Sequence, residues 1–90
     1  MPQRVVPIVN RLGMHARAAA KFVGLASQYK ADIFVSRKGR EVNGKSIMGV
    51  MMLAAAKGTE VEIRAEGAPD AEDALAALSA LVANRFGEES

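Results

Sequence analysis

Residues 4–9, apolar from Val5 onward, read as a first strand with side chains on two alternating sides. Val6 and Ile8 fall on one side and Val5, Pro7 and Val9 on the other, which is the period of a β-strand. Pro7 has no N–H to give to a ladder, so this strand belongs at the edge of a sheet. After a loop at Asn10, Arg11, Leu12 and Gly13 the period changes. Ala19, Phe22, Val23 and Ala26 recur at i, i+3, i+4 and i+7, which predicts a helix from residue 15 or 16 to 28. Residues 33–36 are rich in β-branched and aromatic side chains and read as a second strand. Lys38 and Gly39 turn the chain into a third at 40–42. Asn43 and Gly44 turn it again, and Ser46 is a good N-cap for a short helix over 47–55. The fourth strand, 59–66, sets Val61, Ile63 and Ala65 against Glu60, Glu62, Arg64 and Glu66. A strand polar on one side belongs to an antiparallel sheet with one wet face. Gly67 ends it. Pro69 and Asp70 open a last helix, with Glu72 and Asp73 suited to its dipole and Leu75, Leu78, Leu81, Val82 and Phe86 as its buried stripe.

The order is therefore strand, helix, strand, strand, helix, strand, helix. It predicts an α+β fold in which three helices cover one face of a four-stranded antiparallel sheet. A ferredoxin-like domain shares part of this order but puts the first strand in the centre, which Pro7 disfavours. Ninety residues make one domain, 1–90, with a single modest core. Half of the residues are hydrophobic and 24% charged, the composition of a folded chain rather than a disordered one. Without cysteine there is no disulfide scaffold, thiolate zinc site or cysteine nucleophile, and one histidine is little to build a metal site on. The net charge is only +2, with basic residues in the first half and acidic ones crowding the last third, and aromatic residues are 4%. That is neither a basic stripe nor a stacking surface for nucleic acid. No apolar run is long enough for a membrane span and the N-terminus has no signal-like core, so the expected compartment is the cytoplasm.

The chemistry centres on Gly13-Met14-His15-Ala16-Arg17. His15 falls where a loop becomes a helix. There the first amides lack intrahelical partners and the dipole is positive, which favours an anion. A neutral imidazole has a lone pair that can attack phosphorus, and Arg17 can offer a planar fork of donors to phosphoryl oxygens. The alternative is a polar cap at His15 beside a solvated Arg17. A second pattern, residues 39–46, matches G-x-x-x-x-G-K-[ST]. A phosphate-cradling loop needs a parallel sheet and a metal-binding Asp at a strand end; neither is found, and residues 40–42 are needed as a strand. The third feature is the short helix itself. Ile47, Met48, Val50, Met51, Met52 and Leu53 make it apolar nearly all round, so either some methionines face solvent as an adaptable partner surface or a loop covers them.

Together these residues resemble the histidine-containing phosphocarrier (HPr) family of the phosphoenolpyruvate-dependent phosphotransferase system. Residues 10–17, Asn-Arg-Leu-Gly-Met-His-Ala-Arg, are similar to its active-site loop, and residues 44–51, Gly-Lys-Ser-Ile-Met-Gly-Val-Met, to its regulatory serine segment. The two come in the family's order and separation, and the similarity extends over essentially the whole chain. The resemblance implies an open-faced β-sandwich with strand order 1-4-2-3. It implies that Enzyme I, charged by phosphoenolpyruvate, phosphorylates His15 at Nδ1 and that an Enzyme II A domain receives the group. Arg17 and the amides of Ala16 and Arg17 would hold the phosphoryl oxygens. Ser46 would be a regulatory phosphorylation site for an HPr kinase/phosphorylase, and Ile47, Met48, Met51 and Met52 the docking surface for partners. Such a chain is a monomeric phosphoryl-transfer intermediate rather than a stand-alone enzyme. It needs no metal or cofactor of its own, Mg²⁺ belonging to the partners. Ala18 departs from the proline that many sugar-system members carry and looks like the nitrogen-related branch, whereas the Ser46 segment looks like kinase-controlled members. The rival classes are a small nucleotide-binding domain built on residues 39–46 and a non-catalytic interaction module.

Overall fold

In the computed structural model, residues 2–53 and 55–90 are described. The chain forms β1 (Gln3–Pro7), α1 (Ala16–Ala26), β2 (Asp32–Arg37), β3 (Arg40–Asn43), α2 (Ile47–Met52), β4 (Glu60–Glu66) and α3 (Ala71–Ala83), followed by a 3₁₀ turn at Arg85–Gly87. The strands make one antiparallel sheet in the order β1-β4-β2-β3, with Val6 opposite Val61 and Val35 opposite Ile63. Pro7 lies opposite Glu60 on an outer strand, where a missing N–H is tolerated.

The alternation read from the sequence sorts the two faces. Val6, Ile8, Val61, Ile63 and Ala65 are buried with Ile33 and Val35, and Phe22, Ala26, Leu78 and Val82 of the helices complete one core with them. The other face carries Val5 in solvent and the Arg64 guanidinium 4.3 Å above the Phe34 ring, paired with Glu41 at 2.9 Å and Glu66 at 2.6 Å.

The element ends differ from the expected ones where tertiary partners intervene. β1 closes at Pro7 rather than Val9, although Ile8 stays on the inner face through its amide's bond to the Thr59 carbonyl, 2.8 Å. α1 ends at Ala26 rather than Gln28, tightening as the Gln28 amide bonds the Leu25 carbonyl at 3.1 Å. α2 ends at Met52 instead of reaching Ala55. The Leu53 amide takes the Val50 carbonyl at 3.3 Å in a tighter closing turn, and beyond it the Leu53 carbonyl accepts from Arg37 Nη1 at 3.1 Å and the Ala55 carbonyl from the Met14 amide at 2.9 Å. Position 54 of that expected helix lies outside the described residues. Phe86 is buried as expected, but not on an α3 stripe. The helix stops at Ala83, and the chain turns through Arg85, Phe86 and Gly87 at φ 57°, 54° and 80°. Leu81 is only partly covered.

Asp70 does not cap α3 with its side chain. Its carboxylate instead accepts from the amides of Lys30 at 2.8 Å and Ala31 at 3.0 Å, tying the α1–β2 connection to the start of α3. The Lys30 amide above all, and then that of Ala31, hold its carboxyl below the ordinary value of 3.8. A folded value below the unfolded one means that the stabilisation is present above about 3.8 and is lost as pH falls through the lower folded value. Asp70→Asn should therefore be less stable than the parent at pH 6, and the gap should close as thermal melts are taken from pH 5 down to about pH 3. A constant gap over that range would remove the carboxylate's charge from the explanation.

Candidate functional site

The loop between β1 and α1 is fixed from inside by Asn10, which is fully buried. Its Nδ2 donates to the Gly13 carbonyl at 2.7 Å and to Glu88 Oε1 at 3.0 Å, while Oδ1 is buried with no partner among the described residues. Gly13 takes φ +66°, and a Cβ there would stand 2.5 Å from the Ala55 carbonyl oxygen, so only glycine lets the loop lie this close to the segment after α2. The bond from the Met14 amide to that same carbonyl and the burial of the Met14 side chain complete the anchor. His15 is thereby delivered to the N-cap of α1, at φ −72° and ψ 177°.

The imidazole does not cap the helix. Its Nε2 pairs with Glu88 Oε2, leaving Nδ1 with no hydrogen-bond partner among the described residues. The ring's side chain is 27% exposed and lines a cleft of about 480 Å³ with Arg11, Leu12, Ala16, Arg17 and Glu88. Arg17 is exposed, and its guanidinium makes no bond among the described residues, so it is available to an incoming anion. The first amides of α1 face the same end, where the helix dipole favours negative charge. The carboxyl of Glu88 is held below its ordinary value of 4.5, first by the Asn10 amide and then by the His15 ring, so it is a carboxylate at neutral pH.

The sequence located His15, Arg17 and the helix start; it missed Glu88 and the scaffolding part of Asn10. Glu88 lies 73 residues from His15, beyond the reach of any local pattern, and only the turn through Arg85–Gly87 brings it back. The other expected site residues lie on α2. Ser46 Oγ accepts from the Gly49 amide at 3.1 Å as the expected N-cap. Ile47, Met48, Met51 and Met52 are 44%, 71%, 38% and 54% exposed, while Val50 and Leu53 turn into the core. The helix is thus apolar on its solvent side as well, and no loop covers the methionines. α2 packs on α1, and Ala55 just beyond it holds the His15 loop.

Residues 39–46 do not form a phosphate cradle. Positions 40–43 are β3, paired antiparallel with β2. The Gly44 amide bonds the Ile33 carbonyl at 2.7 Å and Lys45 Nζ the Tyr29 carbonyl at 2.7 Å. Among the described residues no group of three or more acidic or histidine side chains could hold a metal, and no helix is long and apolar enough to cross a membrane.

Comparison with known proteins agrees with this geometry. Residues 2–84 match the family model described as the phosphorylation site of the PTS HPr component. The phosphocarrier protein HPr of Cupriavidus necator is 53% identical over 88 residues, 98% of each chain. The crystal structure of HPr-C-His from Thermoanaerobacter tengcongensis superposes with a TM-score of 0.94 at 43% identity over all of both chains. A structure of an HPr dimer from that organism superposes at 0.77, with 43% identity, covering 98% of this chain and all of the other. With its sheet order, its histidine at the start of α1 and its full-length similarity, the chain belongs to the HPr family of phosphocarriers of the phosphotransferase system.

Proposed function

We propose that residues 1–90 act as one carrier domain that takes a phosphoryl group on Nδ1 of His15 from phosphorylated Enzyme I and passes it to Enzyme II A domains. The observation that carries this reading is the state of the His15 ring. Nε2 is engaged by a carboxylate, and Nδ1, close in sequence to Arg17 and at the open amides of a helix N-terminus, has no partner among the described residues. In transfer, the Nδ1 lone pair attacks phosphorus. The amides of Ala16 and Arg17 and the Arg17 guanidinium receive the phosphoryl oxygens. An exposed helix terminus stabilises an anion by only about 0.3–1 kcal/mol, enough to orient the group without trapping it. The chain is an intermediate rather than a stand-alone enzyme and requires no cofactor. It works as a monomer in the cytoplasm, which sedimentation at transfer concentrations and cell fractionation test. Incubation with Enzyme I and labelled phosphoenolpyruvate should give one equivalent of acid-labile, alkali-stable label; acid-stable label or none contradicts the reading.

The exposed Ile47, Met48, Met51 and Met52 serve as the docking surface on this reading. Methionine side chains adapt to several partners, as a carrier with separate donor and acceptors requires. Met48→Glu should weaken binding of Enzyme I in a calorimetric titration with an unchanged melting temperature. Unchanged binding would remove the patch.

Ser46 is the regulatory position in this account, open to an HPr kinase/phosphorylase. A phosphate adds about −1.5 to −2 charges at a helix N-terminus, which the dipole accommodates, and places them beside Ile47 and Met48. Ser46→Asp should melt within a few degrees of the parent and be phosphorylated by Enzyme I markedly more slowly. Parental transfer rates would leave Ser46 a plain cap, whose loss in Ser46→Ala costs about 1 kcal/mol.

A further inference from the structure

The carboxylate of Glu88 lies against the ring that the transfer uses, and the chain spends unusual backbone to put it there. After α3, Arg85, Phe86 and Gly87 all take positive φ, two of them without being glycine. This turn is pinned by the buried Phe86 ring, by Lys21 Nζ on the Phe86 carbonyl at 2.7 Å, and by the Glu88 amide on the Arg85 carbonyl at 2.8 Å. Glu88 is then held at both oxygens. Oε1 accepts from the buried Asn10 amide at 3.0 Å, and Oε2 faces His15 Nε2. The same Asn10 amide bonds the Gly13 carbonyl of the His15 loop, so one side chain sets the positions of ring and carboxylate together. A carboxylate cannot donate, so in the neutral ring the nitrogen it faces carries the proton and the other keeps its lone pair.

We propose that Glu88 is the positioning residue for His15: its carboxylate accepts the Nε2–H, presents the Nδ1 lone pair to phosphorus, and stabilises the positive charge that the ring gains when Nδ1 is phosphorylated. The inference rests on the reading of His15 as phosphoryl acceptor. In the step, the Nδ1 lone pair forms the new N–P bond while the donor's bond to phosphorus breaks and its electron pair leaves with the donor. Nε2 keeps its proton throughout, so the ring of the product is cationic and shares that proton with Glu88. On return transfer the N–P bond breaks, the pair goes back to Nδ1 and the ring is neutral again. No metal, oxidant or separate proton carrier enters. The division of labour is that of the aspartate behind a catalytic histidine in serine hydrolases, which fixes tautomer and orientation and stabilises the imidazolium without itself becoming protonated.

His15 is the chain's one histidine, so ¹⁵N-histidine labelling gives two ring-nitrogen signals that need no further assignment. At a pH where the ring is neutral, the parent should show a protonated Nε2 with its proton visible far downfield and an unprotonated Nδ1. Glu88→Ala, at a parental melting temperature, should lose the downfield proton and draw the two nitrogen signals together. Single-turnover transfer from phosphorylated Enzyme I should slow about tenfold, as loss of a hydrogen bond to a charged group implies. Glu88→Gln, which can still accept the Nε2–H but carries no charge, should restore the ring signals and only part of the rate. Ring signals in Glu88→Ala that match the parent's overturn the inference, whether or not the rate falls; a rate loss alone would make Glu88 a partner contact. Should the parent itself take no label from Enzyme I, the carrier reading fails, while the ring signals still decide what Glu88 does.

Discussion

His15→Ala should accept no acid-labile phosphate from Enzyme I under conditions that label the parent fully. The effect is a complete loss because no other histidine exists to take the group. The substitution leaves the fold largely intact. The ring is partly exposed, makes no capping bond to α1 and fills no core position; the loop is held by Asn10, Gly13 and Met14 instead. Removing the imidazole does leave the Glu88 carboxylate with one partner fewer, but that carboxylate keeps the Asn10 amide and contact with solvent. The melting temperature should therefore stay within a few degrees of the parent, as for substitutions away from the core. Acid-labile label on the alanine variant would move the acceptor elsewhere.

Phe86→Ala should have the largest effect on stability. The ring is 1% exposed and belongs to the one core under the sheet. Truncating a buried phenylalanine costs about 3–5 kcal/mol. A domain of this size shifts by roughly 4–8 °C per kcal/mol, so the melting temperature should fall by more than about 10 °C. The change also releases the turn. Alanine at φ 54° bears the same left-handed backbone without the buried ring that holds it there. The contact between Glu88 and His15 should loosen with it, giving slower transfer even at temperatures where the variant is folded. A melting temperature within about 3 °C of the parent would show that the ring is not the anchor of this segment.

Much of the architecture was legible because it rests on periodicity. The alternation of 59–66 put Val61, Ile63 and Ala65 inside, and Pro7 placed β1 at an edge, which is where it lies. The stripe of Ala19, Phe22, Val23 and Ala26 is buried throughout, and of the two arrangements the apolar surplus on α2 left open, the one with methionines in solvent is the one adopted. What escaped was set by contacts distant in sequence. Nothing between Leu53 and Ala56 breaks a helix, yet α2 stops at Met52, with the Leu53 and Ala55 carbonyls bonded to Arg37 and Met14. Nothing at Arg85 or Phe86 announces positive φ, since the punctuating glycine comes only at position 87. The candidate site was half visible for the same reason. His15 and Arg17 lie in one short motif, whereas Glu88 joins them across 73 residues and Asn10 works through its burial. Asp70 was placed at the start of the last helix, but its carboxylate serves the α1–β2 connection, which no one-dimensional pattern records.

The central claim is that phosphorus bonds Nδ1 of His15, and the ring nitrogens report on it directly. The ¹⁵N-histidine-labelled chain, phosphorylated by Enzyme I and phosphoenolpyruvate, should show phosphorus coupling on the nitrogen that was unprotonated before the reaction, Nδ1, with the proton still on Nε2. Coupling on Nε2, or unchanged ring signals in a protein whose mass has risen by one phosphate, would contradict it.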